Sequence, residues 1–590
     1  MKKALLLILL MSLGSFLTVD ACTNFLITRG ASSDGSVMIT YSADSHVLYG
    51  ELYFWPAADY PEGAMLDITE WDTGKPLGRI PQVRHTFSVV GNMNEHQVSI
   101  GETTYGGREE LASQPDAIMD YGSLIYVGLQ RATSARDAIR IISELMDAYG
   151  YASSGESFSI SDANEVWIME IIGKGKGEKG AVWVARMVPD GYICAHANQA
   201  RITTFPFQTQ NSWNDPDQTC FHAPDVITFA RSKGWFEGSD SEFSFSDTYA
   251  PVSFGGARFC EARVWAMFNR VNAGMGQHEP YARGHLEHGA HGYVTNRMPL
   301  WIKPDHKVSL YEVMNLMRDH YENTSMDMNH DIGGGPFQSP YRWRPMTWQV
   351  DSVPYCHERA TSTQQTGFVF VSQSRNWLPD PIGGIHWFSL DDTYTNCYAP
   401  MYCGILRVPP PYAVGNCDML TYSPTSAFWI FTFVSNWAYT RYNYMIKDIR
   451  KVQNRLETQF ITATPSIDKA ALDLYNQDPA QAREFLTGYS VAMGNYTVDT
   501  WRELGHYLLV KYHDGNVKKE KDGQFERNAW GIPVPPSQPG YPEWWLREIV
   551  SEHGEKVKVT GPAHLAGNQR TIPFRLIIFH RNTVKALSLS

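Results

Sequence analysis

Short apolar runs broken by turn residues dominate the first two-thirds of the chain, and helical stripes become frequent only later. Phe25, Leu26 and Ile27 read as a strand, residues 30–35 supply a turn, and residues 37–41 return as a second strand, which predicts a hairpin. Val89-Val90 and residues 98–100 flank a second turn-like segment, residues 91–95. Residues 166–172, 182–188 and 192–197 predict a meander of three strands, with Pro189, Asp190 and Gly191 making its second turn. Residues 367–372 and 385–390 are further predicted strands. Ser134 caps a helix in which Ala138, Ile141, Ile142, Leu145 and Tyr149 share one face. Ser309 and Glu312 form a capping box for a helix over 309–319. Asp478-Pro479 opens another, and Trp501, Leu504, Leu508 and Leu509 mark one more. Residues 428–434 are very apolar but too short to span a bilayer, and they read as buried. Residues 518–523 are a charge run expected to be a solvated loop. Antiparallel strands mixed with helices, without an internal repeat, predict an α+β fold.

The start of the chain has a different character. Lys2 and Lys3 precede an apolar stretch over residues 4–17, and Val19 and Ala21 occupy the −3 and −1 positions of a signal-peptidase site. This pattern predicts a secretory signal over residues 1–21, hence an exported protein, periplasmic or secreted. No other stretch of about 20 apolar residues occurs, so no stable membrane span is expected. Cleavage makes Cys22 the N-terminal residue, which opens two exclusive chemistries. One is lipidation, giving a lipid-anchored and catalytically inactive binding protein. It is disfavoured by Asp20, a charge where small or apolar residues are wanted. The other is catalysis, with the thiol as nucleophile and the α-amine as base.

Composition narrows the field. At 590 residues the length alone suggests three or four domains of about 150 residues. Hydrophobic residues at 43% and charged residues at 19% allow a large core and exclude general disorder. A net charge of −12 argues against a sequence-independent nucleic-acid binder. Export permits disulfides, but if Cys22 is a free nucleophile seven cysteines remain, and at least one more stays unpaired. No CxxC pair is present, and most cysteines read as small buried apolar residues.

Several motifs fail on context. Residues 175–180 match GxGxxG, yet a strand follows where a dinucleotide site needs a helix. His285, His288 and His291 lie among glycines without a fourth-ligand pattern, so an exposed loop is expected and no metal. His357-Glu358 begins like a zincin motif, but Thr361 stands where its second histidine belongs. No GxSxG elbow occurs. Cys22 survives because its chemistry explains its position. An α-amine has a reference pKa near ~8, so it is partly neutral around pH 7 and accepts the thiol proton. Nucleophile and base then sit on one residue, and only an oxyanion hole and orienting groups remain to be supplied.

The chain resembles the C69 dipeptidases of the N-terminal-nucleophile (Ntn) hydrolase superfamily. The resemblance is carried by Cys22-Thr23-Asn24-Phe25-Leu26, residues 31–36, residues 91–95, residues 164–170, Pro189-Asp190-Gly191-Tyr192, residues 195–202, residues 318–322 and residues 374–381. Their joint order covers 22–405. It implies one elaborated catalytic domain over 22–405, an αββα four-layer sandwich. Residues 406–590 would be a mixed, largely helical extension packed on it. It implies hydrolysis of dipeptides or other small amides with no cofactor and no metal. Cys22 would attack the carbonyl and form a thioester acyl-enzyme. Asp44 resembles the carboxylate that orients the N-terminus, Asn198 an oxyanion donor, and Arg263 the late arginine of the site, with Arg258 as the alternative match. Relatives commonly carry a cation three positions before the Asp, where this chain has Tyr41. The related penicillin and bile-salt acylases keep an N-acyl amide substrate open as a second reading.

Overall fold

The hairpin behind Cys22 forms, and it runs through the middle of a seven-stranded sheet. In this computed structural model, residues 22–112 and 114–560 are described. The sheet order is Trp301–Ile302, Ile193–His196, Asn24–Ile27, Val37–Asp44, Thr366–Ser374, Ile385–Leu390 and Ala399–Tyr402. All pairings are antiparallel, with Leu26 opposite Ile39, Asn24 opposite His196 and Tyr41 opposite Phe370. Every residue of Val37–Asp44 is buried, as in a strand covered on both faces.

A second sheet of eight strands has the order Cys220–His222, Ala181–Met187, Val166–Gly173, Gly155–Ser161, Ser99–Tyr105, Met93–Asn94, Val89–Val90 and Phe54–Trp55. Its strands Ser99–Tyr105 and Gly155–Ser161 pack against Asn24–Ile27 and Val37–Asp44. Helices Tyr121–Leu129 and Ala135–Tyr149 pack on the second sheet. Helices Ala427–Tyr439, Tyr442–Tyr475 and Pro479–Lys511 pack on the far strands of the first. The fold is α+β. Ser134 caps its helix by accepting from Asp137 N, and Ser309 with Glu312 closes a capping box.

Three local expectations are corrected. The third strand of the meander leaves it: Ile193–His196 pairs with Asn24–Ile27 in the other sheet. The Pro189–Asp190–Gly191 turn delivers it there, anchored by Gly30 N donating to Asp190 Oδ1 at 2.6 Å. Trp501, Leu504 and Leu508 do not mark a separate helix but belong to Pro479–Lys511. The glycines inside it are points of close approach, since a Cβ at Gly494 would lie 2.4 Å from Pro409 and one at Gly505 2.8 Å from Phe433. The charge run is not all loop: Glu520–Lys521 pairs with Gln524–Phe525 about Asp522 and Gly523, both at positive φ, the turn chemistry of a two-residue hairpin.

Two buried ion pairs fasten the long helices to the sheet region. Arg318 meets Glu457 with both side chains at 0% exposure, and Arg375 meets Asp468. The chain divides into two compact units between Pro539 and Gly540. The described part of the second unit carries the helix Glu543–Val557.

Candidate active site

Cys22 lies two residues before the strand Asn24–Ile27, and its neighbour Thr23 is tied to the next strand, Val37–Asp44. Thr23 and Ser42 exchange backbone hydrogen bonds of 3.3 and 3.1 Å, which sets Cys22 beside the end of Val37–Asp44. Its side chain is buried, with Sγ 3.6 Å from Glu102 Oε1 and 3.8 Å from the Tyr41 hydroxyl. Burial, then the charges of Glu102 and Asp44, push the thiol pKa well above its ordinary value. In the full-length chain the Cys22 nitrogen belongs to the peptide bond with Ala21. The thiol therefore has no amine beside it and resists ionisation.

Arg263 gathers the site. It projects from Ala262–Val271, directly after a π-helical stretch at Gly256–Glu261, a helix irregularity frequent at functional sites. Its Nη1 donates to the Cys22 carbonyl and to Thr23 Oγ1 at 2.7 Å, and its Nη2 donates to Asn198 Oδ1 at 2.9 Å. The guanidinium is fully buried, and burial together with nearby Arg359 lowers its pKa. Arg258, the other candidate, points elsewhere and pairs with Glu358 at 2.6 Å. Asn198 follows the strand Ile193–His196 at φ 54°, a left-handed conformation that asparagine tolerates. Its Nδ2 donates to Thr104 O at 2.6 Å.

Asp44 closes the second strand. Arg359 Nη2 approaches its Oδ2 at 2.6 Å and Thr366 Oγ1 donates to its Oδ1 at 2.7 Å. Burial still raises its pKa, against the pull of Arg359 and Thr366. Tyr41 packs edge-on against Phe368 and Phe370, 5.4 and 5.8 Å between ring centroids, and its hydroxyl donates to Glu102 Oε1. The position thus holds a neutral donor. Cys22, Asn198 and Arg263 are joined by direct contacts. Asp44 lies close enough to raise the thiol pKa.

Glu102, Glu156 and Arg359 were not singled out from the sequence. Glu102 lies in Ser99–Tyr105 and Glu156 in Gly155–Ser161, where every neighbour but Thr104 is buried, so an acidic residue there is itself a signal. Arg359 carries no local mark and is located only by Asp44. The three histidines at 285, 288 and 291 are exposed, with His288 Nδ1 against Gly292 O at 3.0 Å. Among the described residues no group of three or more His, Cys, Asp or Glu is placed to hold a metal ion.

Comparison with known proteins places the chain in a family. A "Probable dipeptidase" of Salmonella dublin is 24% identical over 428 residues, 69% of this chain and 86% of that protein. A "Probable dipeptidase" of Latilactobacillus sakei is 24% identical over 388 residues, covering 62% and 71%. A "Probable dipeptidase B" of Lactococcus lactis subsp. lactis is 22% identical over 507 residues, covering 80% and 96%. Residues 21–455, well over half of the chain, match the family described as Peptidase family C69. The chain belongs to peptidase family C69, and it is a cysteine-type peptidase.

Proposed function

We propose that the protein is an exported dipeptidase, active once residues 1–21 have been removed. Those residues lie outside the described structure, and their reading as a secretory signal rests on sequence. The two facing antiparallel sheets, each with helices against it, support the αββα sandwich of the Ntn hydrolases. The names of the similar proteins support a dipeptide substrate.

The observation that carries the mechanism is the setting of Cys22. Its thiol is buried and protonated, and its carbonyl is gripped by the arginine that also holds Asn198. Removing Ala21 frees an amine beside that thiol. The amine takes the thiol proton as sulfur attacks the scissile carbonyl, and an S–C bond forms. Asn198 is assigned to the developing oxyanion, with Arg263 fixing it by its Oδ1. The C–N bond breaks as the amine passes its proton to the leaving amino acid. Water then gives a proton to the same amine, its oxygen bonds the thioester carbon, and the C–S bond breaks as the amine returns that proton to sulfur. Asp44, anchored by Arg359 and Thr366, holds the amine in place. Residues within 22–405 supply all of these groups.

Intact mass of the exported protein, combined with dipeptide hydrolysis, tests the proposal. The expected result is a chain beginning at Cys22, activity that Cys22→Ala abolishes, and indifference to chelators. A diacylglyceryl adduct on Cys22 would rule it out. So would turnover confined to N-acyl amides.

A further inference from the structure

Glu102 and Glu156 are diagonal neighbours on one face of the second sheet. Glu156 stands opposite Thr104, two residues along from Glu102. Their exposures are 1% and 0%. Neither Glu102 Oε2 nor Glu156 Oε1 meets an N–H or O–H of another described residue, and the two carboxyls hydrogen-bond one another. Burial raises both carboxyl pKa values, and facing Glu102 raises that of Glu156 further, so Glu102 is the more readily ionised of the two. Among the described residues no Lys, Arg or His forms an ion pair with either. Tyr41 donates to Glu102 Oε1 and leaves its charge in place. An ionised Glu102, buried 3.6 Å from the candidate nucleophile, is costly unless a cation meets it during function, either the processed chain's own amine or one the substrate brings.

The cation that fits is set by the reaction. In a dipeptide the α-nitrogen is about 2.5 Å from the scissile carbonyl carbon, from ordinary N–Cα and Cα–C bonds. Sulfur approaches that carbon at about 3–3.5 Å, and an ammonium–carboxylate hydrogen bond spans about 2.8 Å. A carboxylate oxygen 3.6 Å from Sγ closes that quadrilateral. Beside it, Tyr41 forms one wall of a cavity also lined by Tyr53, Trp55, Trp71, Tyr126 and Phe368. Trp55 stacks between Tyr53 and Tyr126, with centroids 5.8 and 5.6 Å away. With a volume of about 20 Å³ the cavity has room for a water and not for a side chain, and its aromatic faces tolerate a neighbouring cation.

We propose that Glu102, paired with Glu156 and held by Tyr41, receives the free α-ammonium group of the substrate. This rests on the dipeptidase reading and adds one basis of its specificity, a free amine. Glu102 is then a substrate-binding residue, and Glu156 and Tyr41 position it.

The test compares alanyl-alanine with propionyl-alanine, which lacks only the amine, on the processed enzyme and on Glu102→Gln. The parent should favour the free amine by about 100-fold or more in kcat/KM, because a site built to bind a polar group rejects the analogue lacking it. Glu102→Gln should lose most of that preference, chiefly through KM, with under about threefold change on the analogue. Equal turnover of both substrates by the parent overturns the proposal, and this arm needs no variant to fold. An equal loss on both substrates in Glu102→Gln also overturns it, placing Glu102 on the thiol or on the enzyme's own amine. Tyr41→Phe, which keeps the charge but frees the carboxylate, should weaken the preference less. Dipeptide turnover indifferent to the amine sinks only this proposal, whereas failure to cleave any dipeptide sinks the dipeptidase reading as well.

Discussion

Arg359 and Asp44 meet at 2.6 Å across 315 residues of sequence, with side-chain exposures of 5% and 0%. Removing one member of such a pair strands a buried charge, at about 3–5 kcal/mol. Arg359→Met should therefore lower stability sharply at neutral pH. Burial already raises the Asp44 pKa, and losing Arg359 raises it further. With the folded pKa above the unfolded value near ~3.9, stability falls as pH rises through that interval. The variant's deficit should be smaller at pH 5 than at pH 7.5, measured by urea unfolding. The double variant with Asp44→Asn should cost less than the two single losses added. A deficit independent of pH would show that Asp44 does not sense Arg359.

Arg263 and Arg258 are five residues apart, and only Arg263 reaches Cys22. Arg263 donates to the Cys22 and Ala197 carbonyls, Thr23 Oγ1, Asn198 Oδ1 and Phe259 O. A lysine cannot reproduce that fork. Arg263→Lys should lose about 100-fold or more in kcat/KM, nearly as much as Arg263→Ala. Arg258→Lys, at a pairing with Glu358 away from the thiol, should change it by only a few-fold. Steady-state kinetics on one dipeptide with all three variants decides this. Similar losses at both positions would remove the special place of Arg263.

The sequence made local features legible and left distant pairings hidden. The hairpin behind Cys22, the Ser134 cap and the capping box at Ser309 are written within a few residues and formed as expected. Cys22 itself was marked by the cleavage pattern before it. Arg263 and Arg258 could not be separated, because the choice depends on a π-helical stretch over Gly256–Glu261 that no residue pattern announced. Arg359 was missed because its importance comes wholly from Asp44. The departure of Ile193–His196 from its meander was missed because a Pro-Asp-Gly turn specifies a reversal but not the sheet that receives the strand.

The helices after residue 406 hold buried partners of the sheet region. Glu457 pairs with Arg318 and accepts from Tyr398 N at 3.1 Å, Asp468 pairs with Arg375, and Trp501 Nε1 donates to Thr395 O at 3.1 Å. A chain ended at 405 strands two buried arginines and bares the apolar strands Ile385–Leu390 and Ala399–Tyr402. It should be insoluble or unfold without a cooperative transition. A chain ended at 539, where the first unit stops, should keep a single transition in calorimetry. A soluble, active chain of residues 22–405 would make the later helices dispensable.

His386 and His196 are both fully buried, and burial pushes both pKa values down to about 3, but their surroundings differ. His196 places its ring nitrogens 2.7 Å from Thr103 Oγ1 and Ser159 Oγ. His386 lies against Phe370 and Phe388, 4.4 and 5.6 Å between ring centroids, and neither of its nitrogens has a hydrogen-bond partner among the described residues. A histidine with a folded pKa below its unfolded value near ~6.5 costs nothing above that pH. It takes stability away as pH falls from there toward the folded value. His386→Leu removes that titration and an unpaired polar ring together. Its stability at pH 8 should equal or exceed the parent's. Between pH 6 and pH 4 its stability should fall less steeply, by up to about 1.4 kcal/mol per pH unit. His196→Leu should instead lose stability at every pH, because it leaves two buried hydroxyls without their partner. Urea unfolding of parent and variants across this range is the check, and a His386→Leu chain as acid-sensitive as the parent would mean that the ring is protonated within the folded state.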